Sequence, residues 1–216
     1  INKTFCETLK ANHPDVKIIN ASMEDLDLEP YINSVDILMG GVPCQSFSQA
    51  GKRKGLNDNR GNLILTFIKM IEKLNPKIFL IENVKGLKTH EKGKTLEMII
   101  NKINEIGSYN TKYKVLNAND YNVPQKRERL IIIGIRNDIQ KEYNYPDPFE
   151  YKPILKDVLE NCPKSEGYEY NEKKFKVLDL IPEGGCWINL PVNIQKEYML
   201  KSYDSGGGKR GIAKRL

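Results

Sequence analysis

Cysteine and histidine are scarce in this chain, and neither is arranged as a metal site. The 216 residues include four cysteines and two histidines. The cysteines lie far apart and form no Cys-x-x-Cys pair, so the usual ligand spacing of a zinc site cannot arise locally. We therefore expect no metal centre and a reducing, cytoplasmic setting. The residues concerned are Cys6, Cys44, Cys162, Cys186, His13 and His90.

Long apolar runs are also missing. No segment approaches the roughly 18 apolar residues that cross a bilayer, and the first ten residues, INKTFCETLK, lack the apolar core of a secretory signal. Membrane insertion and secretion are therefore not expected. Lys and Arg total 34 against 28 Asp and Glu, a formal net charge of +6. Because the chain begins with Ile and its last segment, GGGKRGIAKRL, completes no helix or strand, we expect a piece of a longer protein.

Short apolar runs alternate with amphipathic stretches over the first 136 residues. Residues 35–39, 77–81 and 130–135 are almost continuously apolar, which is typical of strands buried on both faces. Residues 63–74 and 95–106 carry apolar side chains at steps of three and four, as one face of a helix does. This rhythm predicts an α/β fold with a doubly wound, mostly parallel sheet and helices on its faces.

The sequence pattern changes after about residue 135. Prolines and glycine runs accumulate there, and neither the helical nor the strand periodicity of apolar residues continues. We place a domain boundary near residue 150. The prediction is one domain over residues 1–150 and a second, incomplete region over residues 151–216. No internal repeat is visible.

Cys44 lies in the first of three polar loops that adjoin the apolar runs. In open α/β sheets, chemistry gathers at the carboxyl ends of the strands. A single cysteine is more often a small buried hydrophobe. Here it follows a proline, in a loop where four basic residues oppose one Asp (Lys52, Arg53, Lys54 and Arg60 against Asp58). Nearby positive charge favours the thiolate, so the loop suits a nucleophile that meets a polyanion.

Glu82 ends the second apolar run and is followed by Asn83. A carboxylate set against a buried strand is partly desolvated, which favours its protonated form and allows it to donate a proton. The alternative is structural, with Asn83 capping the turn that follows.

Gln125, Arg127 and Arg129 form the third group, just before the last apolar run. In an extended strand these three positions share one face, so an amide and two guanidinium groups would point the same way. Such a face invites phosphate or a polarised carbonyl oxygen. A solvated strand edge is the alternative.

The segments PCQSFSQAG, ENV and QKRER, in this order and at these separations, closely resemble the cytosine-C5 DNA methyltransferase family, and within it the bacterial restriction-modification methylases. The resemblance covers about residues 1–136. It implies a Rossmann-like methyltransferase fold and S-adenosylmethionine as methyl donor.

The resemblance assigns catalytic roles to four residues. It implies that the thiolate of Cys44 adds to C6 of a cytosine flipped out of duplex DNA, which makes C5 nucleophilic. Glu82 would contact N3 and the exocyclic amine and supply a proton. Arg129 would hold O2 of the base, and Arg127 would support the loop or a phosphate.

The resemblance also implies contacts to DNA and cofactor. Contacts to DNA are expected from Gln45, Ser48, Lys52 and Gln125. Pro43 matches a position near the cofactor, and Asn20 or Ser22 could replace an adenine contact where many relatives have Gly-Asp-Ile. The glycine-rich cofactor segment and the acidic residue for the ribose are expected before residue 1, so this fragment alone is predicted to be inactive.

Residues 151–216 are expected to begin a target-recognition region. Residues 201–216 carry five basic residues against one Asp, which suits DNA, although a short charge run is often only a solvated surface. We expect a monomer that acts on double-stranded DNA. Two alternatives stay open at this point: a tRNA cytosine-5 methyltransferase and a catalytically inactive DNA-binding relative.

Overall fold

The structure is a computed structural model that describes residues 1–43, 62–159, 172–182 and 185–199. The chain divides into two compact units, Ile1–Glu160 and Asn161–Leu216. The strands are β1 (Ile37–Gly40), β2 (Ile78–Val84), β3 (Tyr109–Asn117) and β4 (Glu128–Arg136). The α-helices are α1 (Lys3–Asn12), α2 (Asn62–Leu74), α3 (Lys94–Glu105), α4 (Leu155–Leu159), α5 (Glu172–Leu178) and α6 (Val192–Met199).

Within its described residues, the first unit has a four-stranded sheet in the order β1-β2-β4-β3. β1 and β2 are parallel and are joined through α2, which is the predicted strand–helix–strand unit. β4 is antiparallel to both β2 and β3. The α/β class and the five elements predicted from periodicity are confirmed. β3 is an additional strand that forms a hairpin with β4, so two of the three described strand pairings are antiparallel, whereas the prediction was a mostly parallel sheet.

Helices α2 and α3 cover one face of the sheet. The apolar residues of α2 that repeat at steps of three and four are buried, and three apolar residues of α3 are buried with them. They are Ile64, Phe67, Ile68, Ile71, Leu74, Leu96, Ile99 and Ile103. They pack on Phe79 and Ile81 of β2 and on the neighbouring apolar residues of β4. Each such side chain stabilises the fold by about 1.5–3 kcal/mol when fully buried. The packing of α2 and α3 therefore holds β2 and β4 in place.

Burial on both faces is wrong for β1. Ile37 and Met39 are 56% and 65% exposed, and they share the sheet face opposite α2 and α3 with Ile78 and Leu80 of β2. Helices α2 and α3 pack on the other face. An apolar run in sequence therefore overestimated how completely this strand is enclosed.

Gly40 ends β1 and allows a helix to approach closely. A Cβ at this position would lie 2.5 Å from Cε2 of Phe67 in α2. A side chain here would require the ring of Phe67 to move, and Gly40 stands directly before the segment that leads to Cys44.

The second unit contributes α5, α6 and a turn between them. Gln195 is buried, and its Nε2 donates to the carbonyls of Ile188 and Leu190 at 2.9 and 2.7 Å. Trp187 is buried in the same turn. The five basic residues of segment 201–216 lie outside the described residues, so the assignment of this region to target recognition stays a prediction.

Candidate active site at the carboxyl end of the sheet

The predicted site residues divide into those that the structure describes and those that it does not. Cys44, Gln45, Ser48 and Lys52 lie outside the described residues. The described candidates are Asn20, Ser22, Pro43, Glu82, Gln125, Arg127 and Arg129.

Glu82 and Arg129 form an ion pair across two neighbouring strands. Nε of Arg129 lies 2.7 Å from Oε1 of Glu82. Glu82 stands opposite Ile131 and Arg129 stands opposite Val84, so the two are diagonal neighbours on the sheet face away from α2 and α3. Their side chains are 37% and 27% exposed, so both groups remain accessible to a ligand.

One further hydrogen bond orients the guanidinium group of Arg129, and a second ion pair lies beside it. Its Nη1 donates to the backbone carbonyl of Glu128 at 2.9 Å. The carboxylate of Glu128 is in turn bound by Nζ of Lys85 at 2.7 and 2.9 Å. Among the described residues, none accepts a hydrogen bond from Nη2 of Arg129. The site thus presents a carboxylate and a guanidinium edge side by side, which together can bind a group that both donates and accepts hydrogen bonds.

The backbone that leads to Cys44 runs next to Glu82. A Cβ on Gly41 would lie 3.5 Å from Oε2 of Glu82. Val42 is buried, and its carbonyl oxygen accepts a hydrogen bond from Nδ2 of Asn83 at 3.3 Å. Pro43 is exposed and directly precedes Cys44. The structure therefore places residues 41–43, which precede the predicted nucleophile, next to the predicted proton donor Glu82 near the end of β2.

Asn83 is the residue that sequence reasoning missed. The alternative prediction from the sequence was that Asn83 caps the following turn. That turn, Lys85–Lys88, has no side-chain cap. Asn83 is buried, and besides its bond to Val42 its Oδ1 accepts from the N–H of Val84 at 2.8 Å. A signal was present: position 83 continues the buried alternation of positions 79 and 81, so a polar side chain there needs a buried partner.

Gln125 and Arg127 do not share a strand face with Arg129, because β4 begins only at Glu128. Gln125 lies in a tight turn in which its N–H donates to the carbonyl of Val123. The backbone of Arg127 is fixed by Asn117 and Ala118, while its side chain and that of Gln125 are exposed. The prediction of a common face for the three residues is wrong in this respect, since the chain has not yet become extended.

Asn20 and Ser22 stand near the amino-terminal end of the short turn Met23–Asp25. Ser22 is half-buried and makes no capping hydrogen bond with its side chain, and Asn20 is exposed. Ile19 beside them is 47% exposed. The apolar side chain of Ile19 is close in sequence to the amide of Asn20 and the hydroxyl of Ser22. This combination fits an adenine ring, which has an apolar face and hydrogen-bonding edges.

Neither a metal cluster nor a membrane helix occurs in the described part of the chain. Within the ranges that the structure describes, no group of three or more His, Cys, Asp or Glu residues could hold a metal ion. None of the helices described is long and apolar enough to cross a membrane.

Comparison with known proteins identifies the family of the chain. The family model of the C-5 cytosine-specific DNA methylases matches residues 1–213. The chain is 45% identical to the type II methyltransferase M.Eco47II of Escherichia coli and 48% identical to M.Sau96I of Staphylococcus aureus, in each case over 100% of this chain and over 54% and 52% of the relative. It therefore spans about half the length of these relatives.

A solved structure shares the fold. The structure of a Spodoptera frugiperda DNMT2 mutant matches with a TM-score of 0.61 and 23% identity, over 84% of this chain and 56% of that one. With its motifs in sequence order, two of them meeting at one strand end, and a family match that runs almost from end to end, this chain belongs to the C-5 cytosine-specific DNA methylase family.

Proposed function

We propose that the full-length protein methylates C5 of a cytosine flipped out of duplex DNA, as the modification enzyme of a restriction-modification system. One observation carries the proposal: the ion pair of Glu82 and Arg129 lies beside the backbone that leads to Cys44. The names of the two bacterial relatives, both type II methyltransferases, support the reaction class.

Cys44 acts as the nucleophile. C5 of an intact cytosine ring is a poor nucleophile, and addition of the thiolate sulfur to C6 forms an S–C6 bond and shifts the electron pair of the C5–C6 double bond onto C5. C5 then takes the methyl group, whose sulfonium donor would leave as a neutral thioether. A base removes the proton from C5, the returning electron pair expels the sulfur of Cys44, and N3 gives its proton back to Glu82. The net result is 5-methylcytosine and a regenerated thiolate.

Glu82 and Arg129 recognise and activate the ring. Cytosine presents an acceptor at N3 between an amine donor and the O2 acceptor. Glu82 binds the amine and donates a proton to N3, which draws electrons from C6 and promotes attack by the thiolate. Arg129, whose Nη2 meets no described acceptor, binds O2. Extrusion of the base costs a few kcal/mol of stacking and pairing, which contacts of this kind offset.

Other predicted residues hold the DNA and the methyl donor. Arg127 and Gln125 are exposed beside the site and contact the DNA, as Gln45, Ser48 and Lys52 do from the loop after Cys44. When bound, S-adenosylmethionine supplies a methyl group on a positively charged sulfur. Pro43, Asn20 and Ser22 hold it by apolar contact and by hydrogen bonds. Residues 151–216 begin the target-recognition region, and the protein acts as a cytoplasmic monomer.

The test is covalent trapping with full-length protein, S-adenosylmethionine and random-sequence DNA duplexes in which 5-fluorocytosine replaces cytosine. Fluorine at C5 cannot leave as a proton does, so the S–C6 bond persists. We expect an adduct with the wild type and with Cys6→Ser, a matched substitution of a half-buried free cysteine in α1, and none with Cys44→Ser. Absence of an adduct with the wild type, or methylation of tRNA in preference to duplex DNA, would overturn the proposal.

A further inference from the structure

Asn83 links the two strand ends of the site through its side chain. The parallel ladder of β1 and β2 ends at the pair Gly40 and Ile81. Beyond it, the amide of Asn83 donates to the carbonyl of Val42 and accepts from the N–H of Val84. The side chain thereby continues the attachment of the two strands by two residues, where backbone hydrogen bonds no longer do so.

This attachment holds the segment that precedes the nucleophile. Val42 stands two residues before Cys44 in the chain, and two residues of extended backbone span at most about 7 Å. Pro43 between them has a fixed φ, which leaves the backbone little freedom. On the sheet face away from α2 and α3, Gly41 lies close to the carboxylate of Glu82.

We propose that Asn83 is a positioning residue for methyl transfer, because its bond to the carbonyl of Val42 holds residues 41–43, which directly precede Cys44 in the chain, against the strand that carries Glu82. Asn83 does not touch the base, since its side chain is buried on the face of α2 and α3 while Glu82 lies on the opposite face. The inference rests on the proposed function and adds a residue to it.

Two substitutions separate positioning from simple packing. Asn83→Ala removes the donor and the acceptor together. Asn83→Asp keeps the shape and the acceptor for Val84, but an ionised carboxylate cannot donate to Val42, whereas a protonated one can. The matched control is Tyr109→Phe, which deletes another buried bond from a side chain to a backbone carbonyl, that of Pro76 at 2.8 Å, at the opposite end of the same sheet.

The experiment measures the single-turnover rate of adduct formation with 5-fluorocytosine DNA, the Kd for that DNA and the thermal unfolding of the full-length protein. We expect Asn83→Ala to slow adduct formation by up to about 100-fold, the effect of a misplacement of about 1 Å, with DNA affinity almost unchanged. The rate of Asn83→Asp relative to wild type at the same pH should rise as the pH is lowered. Tyr109→Phe should lower thermal stability without slowing the reaction.

The inference is overturned if folded Asn83→Ala reacts at the wild-type rate, or if Tyr109→Phe slows the reaction as much as Asn83→Ala does. Should the alanine variant not fold, the pH profile of Asn83→Asp decides: a flat ratio to wild type rejects a role for the donated hydrogen bond. A wild type that forms no adduct rejects the proposed function and the inference with it. A reactive wild type with unaffected Asn83 variants rejects the inference alone.

Discussion

The two ends of β4 each carry an arginine paired with a carboxylate, yet the two pairs are built differently. At the far end, Arg136 donates from Nε and Nη2 to Asp138 and from Nη1 to the carbonyl of Asn75, so every arm of the guanidinium group has a partner. At the near end, Arg129 contacts Glu82 and the carbonyl of Glu128, and no described residue accepts from its Nη2.

The electrostatics of the far end agree with a structural role. The hydrogen bond from Arg136, with its charge, holds the pKa of Asp138 below its usual range, although burial opposes this. The same bond raises the pKa of Arg136. Burial raises the pKa of the neighbouring Tyr109 to about 12. The hydrogen bonds of Arg136 are all used within the described part of the fold, whereas Arg129 keeps Nη2 available for a ligand, and this difference supports the near end as the proposed site.

Replacement of the two carboxylates should give the largest difference in reaction rate between the two ends of β4. Glu82→Gln removes the proton donor, so we expect methyl transfer to fall by about 10²–10⁴-fold, the usual contribution of general acid catalysis. Asp138→Asn leaves the reaction rate unchanged because it stands at the other end of the sheet. The measurement is the single-turnover rate on DNA for both variants. Equal losses in the two variants would show that the near end has no special role.

Replacement of the two arginines should give a smaller effect. Arg129→Lys keeps the charge but loses the planar fork, so we expect the rate to fall by about 10–100-fold, which corresponds to one or more hydrogen bonds to a charged group. Arg136→Lys should lower the thermal stability and leave the rate at the wild-type value. Rates and unfolding curves of both variants test this. A rate loss confined to Arg136→Lys would contradict it.

The smallest expected effect is a loss of stability at alkaline pH, caused by Tyr109 at the far end of the sheet. Since the pKa of Tyr109 is raised from 10.0 to about 12, the folded state keeps a proton that the unfolded chain releases earlier. Its contribution to the free energy of unfolding is complete below pH 10 and is lost as the pH rises toward about 12. Tyr145, also raised to about 12 by burial, adds to this loss.

Urea unfolding from pH 8 to 11 checks this prediction. Tyr109→Phe should unfold with about 1 kcal/mol less free energy at neutral pH, because one buried hydrogen bond is lost, and its stability should depend less steeply on alkaline pH. An unaltered slope in Tyr109→Phe would show that other groups control the alkaline limb.

Much of this fold could be predicted because it depends on local patterns. The apolar positions of α2 and α3 repeat at helical spacing, and the structure buries them together. β3 escaped prediction since its segment, YNTKYKVLN, mixes lysines with apolar residues, as suits a strand at the sheet edge. The antiparallel direction of β4 depends on that hairpin, so it could not be deduced either.

The site shows the same division. Strand ends and motif order were sufficient to expect Glu82 and Arg129 near each other, and the structure has them in an ion pair. The bond between Asn83 and Val42 joins residues 41 positions apart, and no local pattern specifies such a pairing. The face of Gln125 and Arg127 was misjudged because the start of a strand depends on its hydrogen-bonded partner rather than on its own sequence.

The most direct test is a crystal structure of the full-length protein trapped on DNA containing 5-fluorocytosine. The account predicts a flipped ring with C6 bonded to Sγ of Cys44, the carboxyl group of Glu82 within hydrogen-bond distance of N3, and the guanidinium group of Arg129 at O2. A ring that is bonded elsewhere, or that is held without either Glu82 or Arg129, would contradict it.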